Sequence, residues 1–330
     1  MFLIFFAGLD WGWRKEPYMR LDGPQETIKD ALINGLDLCT NPTGLGWTHG
    51  LKRRNSKSKS NANSDAQPPK EQSRALFVAT HIGWSVAWLL IMDILKFIID
   101  TLEPNLILTP PSSIYDPTFP LPLRALKSTL LTTLFGILTV GGLEFLINLT
   151  KIISVGIFTV PPRRCPKLFN RPWFYTSLGR FWAEGWHQHA RYYFLMFGGR
   201  PLARLVTGAK GKGRARRSAL VLGTFILSGI IHDLCTMSLG KGPDPSKITT
   251  FFTMMGVGIV LEETYTAFFG RKVEGPAGWI WTMSWLLGWG GLLVDAWCQR
   301  GMAANRPIFP EDKRPSTIFW EFLSPLLHLN

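Results

Sequence analysis

Residues 126–160 read LKSTLLTTLFGILTVGGLEFLINLTKIISVGIFTV, an apolar run interrupted by a single acid, Glu144. About 20 mostly apolar residues are enough to cross the hydrocarbon core of a bilayer, so this stretch decides the fold class. Working outward, residues 76–102 form a second candidate span, marked by His81, Asp93 and Lys96. Residues 219–239, 249–270 (with Glu262 and Glu263) and 277–298 follow, and 316–327 is a shorter, interfacial candidate. The expected fold is all-α, a polytopic integral membrane protein of about five to seven apolar helices.

Composition agrees. Of 330 residues, 46% are hydrophobic and 13% aromatic, with 14 Trp and 22 Phe, and only 18% are charged. Soluble domains carry roughly a quarter charged residues. The chain nevertheless holds 36 Lys+Arg against 23 Asp+Glu, a net charge of +13. Those values exclude a disordered tail or a coiled-coil rod and disfavour a cytosolic enzyme. The basic residues cluster in loops. Lys52, Arg53, Arg54, Lys57, Lys59, Lys70 and Arg74 precede the first span, and Arg163, Arg164, Lys167 and Arg171 follow the second. Arg200, Arg204, Lys210, Lys212, Arg214, Arg216 and Arg217 precede the third, whereas residues 103–122 between the first two spans hold neither Lys nor Arg. Cytoplasmic loops carry the cationic excess, so the three basic clusters are expected on the cytosolic side.

Three segments are expected along the chain. Residues 1–50 form an N-terminal segment, 51–74 a basic, Ser/Asn-rich cytosolic linker, and 75–330 the membrane-embedded domain. The apolar opening of residues 1–9 is too short to span and lacks signal-peptide flanks. Cys39, Cys165, Cys235 and Cys298 are too scattered for a disulfide framework or a zinc site and read as small buried hydrophobes. The stretch GAKGKGRARR at 208–217 lacks phosphate-loop spacing and reads as a basic face toward anionic headgroups, which an anionic cosubstrate could also use. The sequon Asn148-Leu149-Thr150 falls inside a span and is expected to be silent, and nucleic-acid binding does not suit so apolar a chain.

Ionisable groups inside spans are costly and point to function. His81 sits near a span start, His49 in a loop and His328 near the terminus, so none of them attracts a specific role. Two segments do. Residues 177–191, SLGRFWAEGWHQHAR, read as a tilted interfacial Trp/His helix, with i,i+4 pairs between Arg180 and Glu184 and between His187 and Arg191. Residues 228–234, SGIIHDL, place His232 and Asp233 deep in an apolar run. The bland reading of His232 is a core imidazole bonded to a backbone carbonyl. The functional one is a general base in a water-poor cavity. On a helix Asp233 points about 100° away from His232, so it is not the group that orients the imidazole.

Together these segments resemble the membrane-bound O-acyltransferase superfamily, and within it the wax-synthase-like branch that includes fungal acetyltransferases of terpenoid and meroterpenoid pathways. The resemblance rests on Phe181, Trp182, Trp186, His187 and Gln188 as FWxxxWHQ, then Ser228, Gly229, His232 and Asp233 as SGxxHD, with Gly44, Leu45, Gly46 and Trp47 upstream. It implies acyl transfer from an acyl-CoA, acetyl-CoA above all, to a hydrophobic alcohol in an endoplasmic-reticulum membrane, with no bound cofactor or metal. It implies His232 as general base, His187 as the second catalytic polar group, and Trp182, Trp186, Gln188, Arg191 and Ser228 near the substrates. Two departures stand out. Ala183, Glu184 and Gly185 replace the usual Gly-Arg-Arg, and the N-terminal segment is expected to be abbreviated because relatives carry further apolar helices there. A long-chain wax-ester synthase is the nearest alternative. A transporter using Asp93, Lys96, Glu144, Glu262 and Glu263 is the alternative from another class, although no internal repeat supports it. A di-iron oxidase would need clustered His that the chain lacks, and an inactive interaction protein would follow if the Ala-Glu-Gly insert abolished turnover.

Overall fold

The computed structural model describes residues 72–104, 112–240, 242–302, 309–310 and 313–324, with Phe6, Leu9, Thr27, Ile28, Asn34 and Gly35. Residues 44–47 and nearly all of the expected N-terminal segment and linker lie outside the described residues. The protein is all-α, with no strand among the described residues. Helix α1 (Arg74–Leu102) starts where the Ser73 hydroxyl accepts from the Leu76 amide at 3.3 Å. Helix α2 (Leu121–Gly156) follows Pro120 and carries Pro122 in its first turn, where a missing amide proton costs nothing. Three short segments come next: α3 (Leu178–Arg180), α4 (Arg191–Phe194) and α5 (Arg200–Thr207). Then follow α6 (Gly213–Ser238), α7 (Ile248–Phe269), α8 (Gly275–Gln299) and α9 (Pro315–Leu323).

Helices α1, α2 and α6 are long and apolar enough to cross a membrane, matching the expected spans at 76–102, 126–160 and 219–239. At 36 residues, α2 is about 54 Å long, well beyond the ~30 Å hydrocarbon core, so it tilts or projects from it. The expected spans at 249–270 and 277–298 also form long helices, α7 and α8, which are not among the three that qualify as membrane-length by mean hydropathy. Glu262 and Glu263 interrupt α7, and five tryptophans and several glycines dilute the aliphatic content of α8.

The outward surface is apolar. Trp84, Val86 and Ile94 on α1, Leu126 and Leu146 on α2, and Phe319 and Phe322 on α9 are all exposed. Meanwhile Asp93, Asp233, Glu262 and Asp295 are buried. Polar groups inside and apolar groups outside is the arrangement that lipid requires, and the protein is an integral membrane protein.

Close approaches set the packing. A Cβ at Gly141 of α2 would lie 3.0 Å from Trp88 and Met92 of α1, and one at Gly229 of α6 would lie 2.8 Å from the Thr249 Cα of α7. Leu95 and Ile99 of α1 meet Leu131 and Leu134 of α2 and Val294 and Cys298 of α8 in one apolar cluster. The reading of the cysteines as buried hydrophobes holds for Cys298 but not for Cys235, which is exposed on α6.

Asp93 and Lys96, singled out above as a polar pathway, are structural. Arg314 Nε lies 2.9 Å from Asp93 Oδ1 and its Nη1 lies 3.1 Å from Asp100 Oδ2, while the Ser316 amide donates to Asp93 Oδ2 at 2.9 Å. Lys96 pairs with Asp100. This network docks α9 onto α1. Removing one partner of a buried pair costs about 3–5 kcal/mol because a charge is left uncompensated. Arg314→Met is therefore expected to lower the thermal midpoint in detergent sharply, and adding Asp93→Asn should recover part of the loss. An unchanged midpoint in the single variant would show that the network carries no stability.

Candidate active site

The Trp/His segment is helical only as far as Gly185. Ser177, with an extended backbone, caps α3 by accepting from the Arg180 amide at 3.2 Å. Residues Phe181–Gly185 then form a wide π turn closed by the Trp186 amide donating to the Phe181 carbonyl at 2.8 Å, and Trp186 itself is extended. Such turns recur at functional sites. Two tertiary contacts impose the break. A Cβ at Gly185 would sit 2.5 Å from the Tyr175 ring, so only glycine fits there. On the other side Glu262 of α7 holds the start of α3, accepting from the Leu178 and Gly179 amides at 2.6 and 3.0 Å and from the Trp281 indole of α8 at 3.0 Å.

Beyond the break, helical spacing no longer applies. The Arg180–Glu184 pair forms at 3.4 Å. The expected His187–Arg191 pairing is replaced: Arg191 donates to the Ala183 carbonyl at 3.3 Å and to Gln188 Oε1 at 3.0 Å. Gln188 in turn donates to the Trp182 and Trp186 carbonyls at 2.8 and 2.6 Å, closing the turn from inside. Trp182 lies edge-on to Phe181, Trp186 and Phe225, which ties the segment to α6.

On α6, His232 Nδ1 lies 2.7 Å from the Ser228 carbonyl, and the ring stacks on Phe252 of α7 at 4.1 Å. A carbonyl only accepts, so Nδ1 carries the proton and Nε2 keeps its lone pair. His81 on α1 makes the same backbone bond at 2.8 Å. The bond alone is therefore not distinctive; location is. Asp233 points elsewhere, accepting from the Asp244 amide at 2.5 Å, while Asp244 pairs with Arg300 at 2.7 Å.

A cavity of about 1450 Å³ brings the seven site residues together. His232 and Ser228 of α6 face it, as do Trp182, Trp186, His187, Gln188 and Arg191 of the Trp/His segment. His81 does not line it, nor do Asp93 and Glu144. Arg180, Arg214, Arg217 and Lys272 also border the cavity, with Arg217 paired to Glu263 at 2.6 Å. Within the basic stretch 200–217, expected to face headgroups or an anionic cosubstrate, Arg214 and Arg217 are the two residues that open onto the cavity. The sequence reading flagged Glu262 only as an acid in a span, although an acid in such surroundings was the signal for a buried anchor. His187 is pushed down to about 3 by burial, reinforced by His189 and His232. Its Nδ1 and the Trp182 indole nitrogen are buried without a hydrogen-bond partner among the described residues.

Residues 165–254 match the membrane bound O-acyl transferase family. Both segments read above lie within that match, and the resemblance holds at that level. Among curated relatives, acetyltransferase spyB of Aspergillus fumigatus is 26% identical over 48% of this chain and 30% of its own length. Acetyltransferase ataH of Aspergillus terreus is 25% identical over 78% of this chain and 86% of its own. The probable long-chain-alcohol O-fatty-acyltransferase 9 of Arabidopsis thaliana is 29% identical over 46% and 47%. The chain spans about a third of the length of the first curated relatives it matches, 30%, 37% and 31%.

The buried His187 has a consequence for stability. An unfolded chain protonates this ring near its ordinary 6.5, whereas the folded ring stays neutral down to about 3. Protons therefore favour the unfolded state, and the contribution is intact above pH 6.5 and lost as pH falls toward 3. At pH 5 the loss is about 2 kcal/mol. The melting midpoint in detergent is expected to fall between pH 7.5 and pH 5, and His187→Gln should flatten that slope. An equally steep slope in the variant would place the acid sensitivity elsewhere.

Proposed function

We propose that the protein is a membrane-embedded O-acyltransferase that moves an acetyl group from acetyl-CoA to the hydroxyl of a hydrophobic, terpenoid-type alcohol. One observation carries the reading. A histidine whose Nδ1 proton is committed to a backbone carbonyl lies in the wall of a large cavity, and the same helix brings two arginines to that cavity. Arg217 and His232 are 15 residues apart on α6, about 22 Å along its axis. That length suits a long, thin donor with an anionic head at the arginines and a thioester near the imidazole. The fungal relatives, both named acetyltransferases, support acetyl as the transferred group.

In this scheme the alcohol gives its proton to His232 Nε2 while its oxygen attacks the thioester carbonyl carbon. The tetrahedral intermediate then expels the CoA sulfur as the C–S bond breaks, and the imidazolium returns the proton to the thiolate. Products are the acetate ester and free CoA, with no acyl group held on the protein and no bound cofactor. His187, neutral near pH 7, serves as a hydrogen-bonding group for the acceptor or the developing oxyanion. Ser228 orients His232 through its carbonyl, while Gln188 and Arg191 hold Trp182 and Trp186 in the wall.

The Ala183-Glu184-Gly185 departure fits this scheme. Gly185 is required under Tyr175, and Arg180 and Arg191 bring two cations to the same part of the cavity. The transporter reading weakens because Asp93, Lys96 and Glu263 are tied to Arg314, Asp100 and Arg217. The name of the Arabidopsis relative favours a longer acyl donor instead of acetyl. In place, the protein would sit in the endoplasmic-reticulum membrane with its basic loops in the cytosol, where acyl-CoA is supplied.

The test is CoA release and ester formation in membranes carrying the protein, with acetyl-CoA or palmitoyl-CoA and a panel of alcohols. Ester formation with acetyl-CoA is expected, and His232→Ala should lower it about 10²–10⁴-fold at equal protein level. Full turnover in that variant would overturn the base assignment, and exclusive use of palmitoyl-CoA would overturn the acetyl assignment.

A further inference from the structure

The α2 and α8 residues that line the cavity carry no charge. Thr132, Gly136, Thr139 and Leu143 recur at i, i+4, i+7 and i+11 on α2, so they form one stripe, and all four line the cavity. Across from it, Met283, Leu287 and Gly290 form a stripe on α8 at the same kind of spacing. The two helices touch at one end of this region, where a Cβ on Gly290 would lie 3.2 Å from Thr132 Cγ2. One turn further along α2 they do not: a Cβ on Gly136 would meet nothing within 4 Å. The wall offers few directed hydrogen bonds. The Thr132 and Thr139 hydroxyl protons are committed to the Ser128 and Phe135 carbonyls at 2.7 and 2.8 Å. Residues 132–143 fall near the middle of α2, one of the membrane-length helices.

We infer that the α2 stripe is the acceptor subsite, that Gly136 sets the girth it admits, and that its occupant is a rigid, ring-fused apolar alcohol. The inference rests on the acyltransferase reading above and extends it to the acceptor. Three observations carry it. Ligand pockets usually hold about 300–1,000 Å³, and the 1450 Å³ here leaves room for a second, bulky body beside a thin donor. The missing side chain at Gly136 widens the space where a single-file alkyl chain would need no widening. With their protons committed, these hydroxyls have none to donate, which suits an apolar body whose one hydroxyl meets the histidines elsewhere in the lining.

Because Gly136 has open space around it, Gly136→Ala and Gly136→Phe are both expected to fold with unchanged melting midpoints. The experiment compares acetylation of ergosterol, a ring-fused alcohol, with that of 1-dodecanol. Gly136→Phe should lower kcat/KM for ergosterol by at least about tenfold, as filling an apolar pocket does. Dodecanol turnover and the KM for acetyl-CoA should stay as in the wild type, and Gly136→Ala should lower kcat/KM for ergosterol less than Gly136→Phe does. An equal fall for both alcohols, no fall for either, a raised KM for acetyl-CoA, or wild-type turnover of dodecanol alone would each overturn the assignment. Binding of ergosterol, followed by tryptophan quenching in detergent, separates the two layers. Binding by the wild type that Gly136→Phe abolishes, without any turnover, sustains the subsite and sinks the acyltransferase reading. No binding by the wild type overturns the subsite.

Discussion

The Glu262 carboxylate is the contact on which the site depends. It accepts from two successive amides, Leu178 and Gly179, and from the Trp281 indole, so one side chain of α7 fastens the Trp/His segment and α8 together. At a buried helix start, unpaired amide protons are costly because no water replaces the missing partner. A negative charge placed there also meets the positive end of the peptide dipoles. With α3 anchored in this way, and Gly185 pressed under Tyr175, the chain makes its π turn and then leaves helical geometry at Trp186. Continuing the helix through Trp186 would point His187 elsewhere. The break turns it toward the cavity that His232 also lines.

Most other buried polar groups are consumed by structure. Asp93 is held by Arg314 and the Ser316 amide. Asp295 accepts from the Ser113 hydroxyl at 2.6 Å and the Ile114 amide at 3.1 Å and pairs with Lys247 at 2.5 Å, tying the loop after α1 to α8. Asp233 staples the turn between α6 and α7. Each is a charge or dipole taken out of solvent and matched at once, as burial at membrane depth requires. Around the cavity, His187 Nδ1 and the Trp182 indole are buried without a partner among the described residues, and a buried donor left unmatched costs on the order of 1–3 kcal/mol.

Helices α1, α2 and α6 were legible because a run of about 20 apolar residues has few other solutions in a bilayer. Their boundaries followed local chemistry at Ser73 and Pro120. His232, Asp233 and the divergence of their side chains were likewise readable from helical spacing. The Trp/His segment was legible as chemistry but not as shape. Its i,i+4 pairs assume a continuous helix, and the groups that end that helix are Tyr175, some ten residues upstream, and Glu262, on another helix. Gly136 was not legible at all. A glycine in an apolar helix looks the same whether it faces lipid, a neighbouring helix or a void.

Local energetics are thus written along the chain: which stretches must be helices in lipid, where they start, and which residue types are too costly to be buried without a purpose. The assembly of those residues around one cavity was decided by the fold, as were the break at Trp186, the conversion of Asp93 and Glu262 from suspected functional acids into anchors, and the opening of Arg214 and Arg217 onto the site. The reason is physical. A helix depends on neighbours within four or five residues, whereas a cavity depends on which faces of distant helices meet and how closely their smallest residues let them approach.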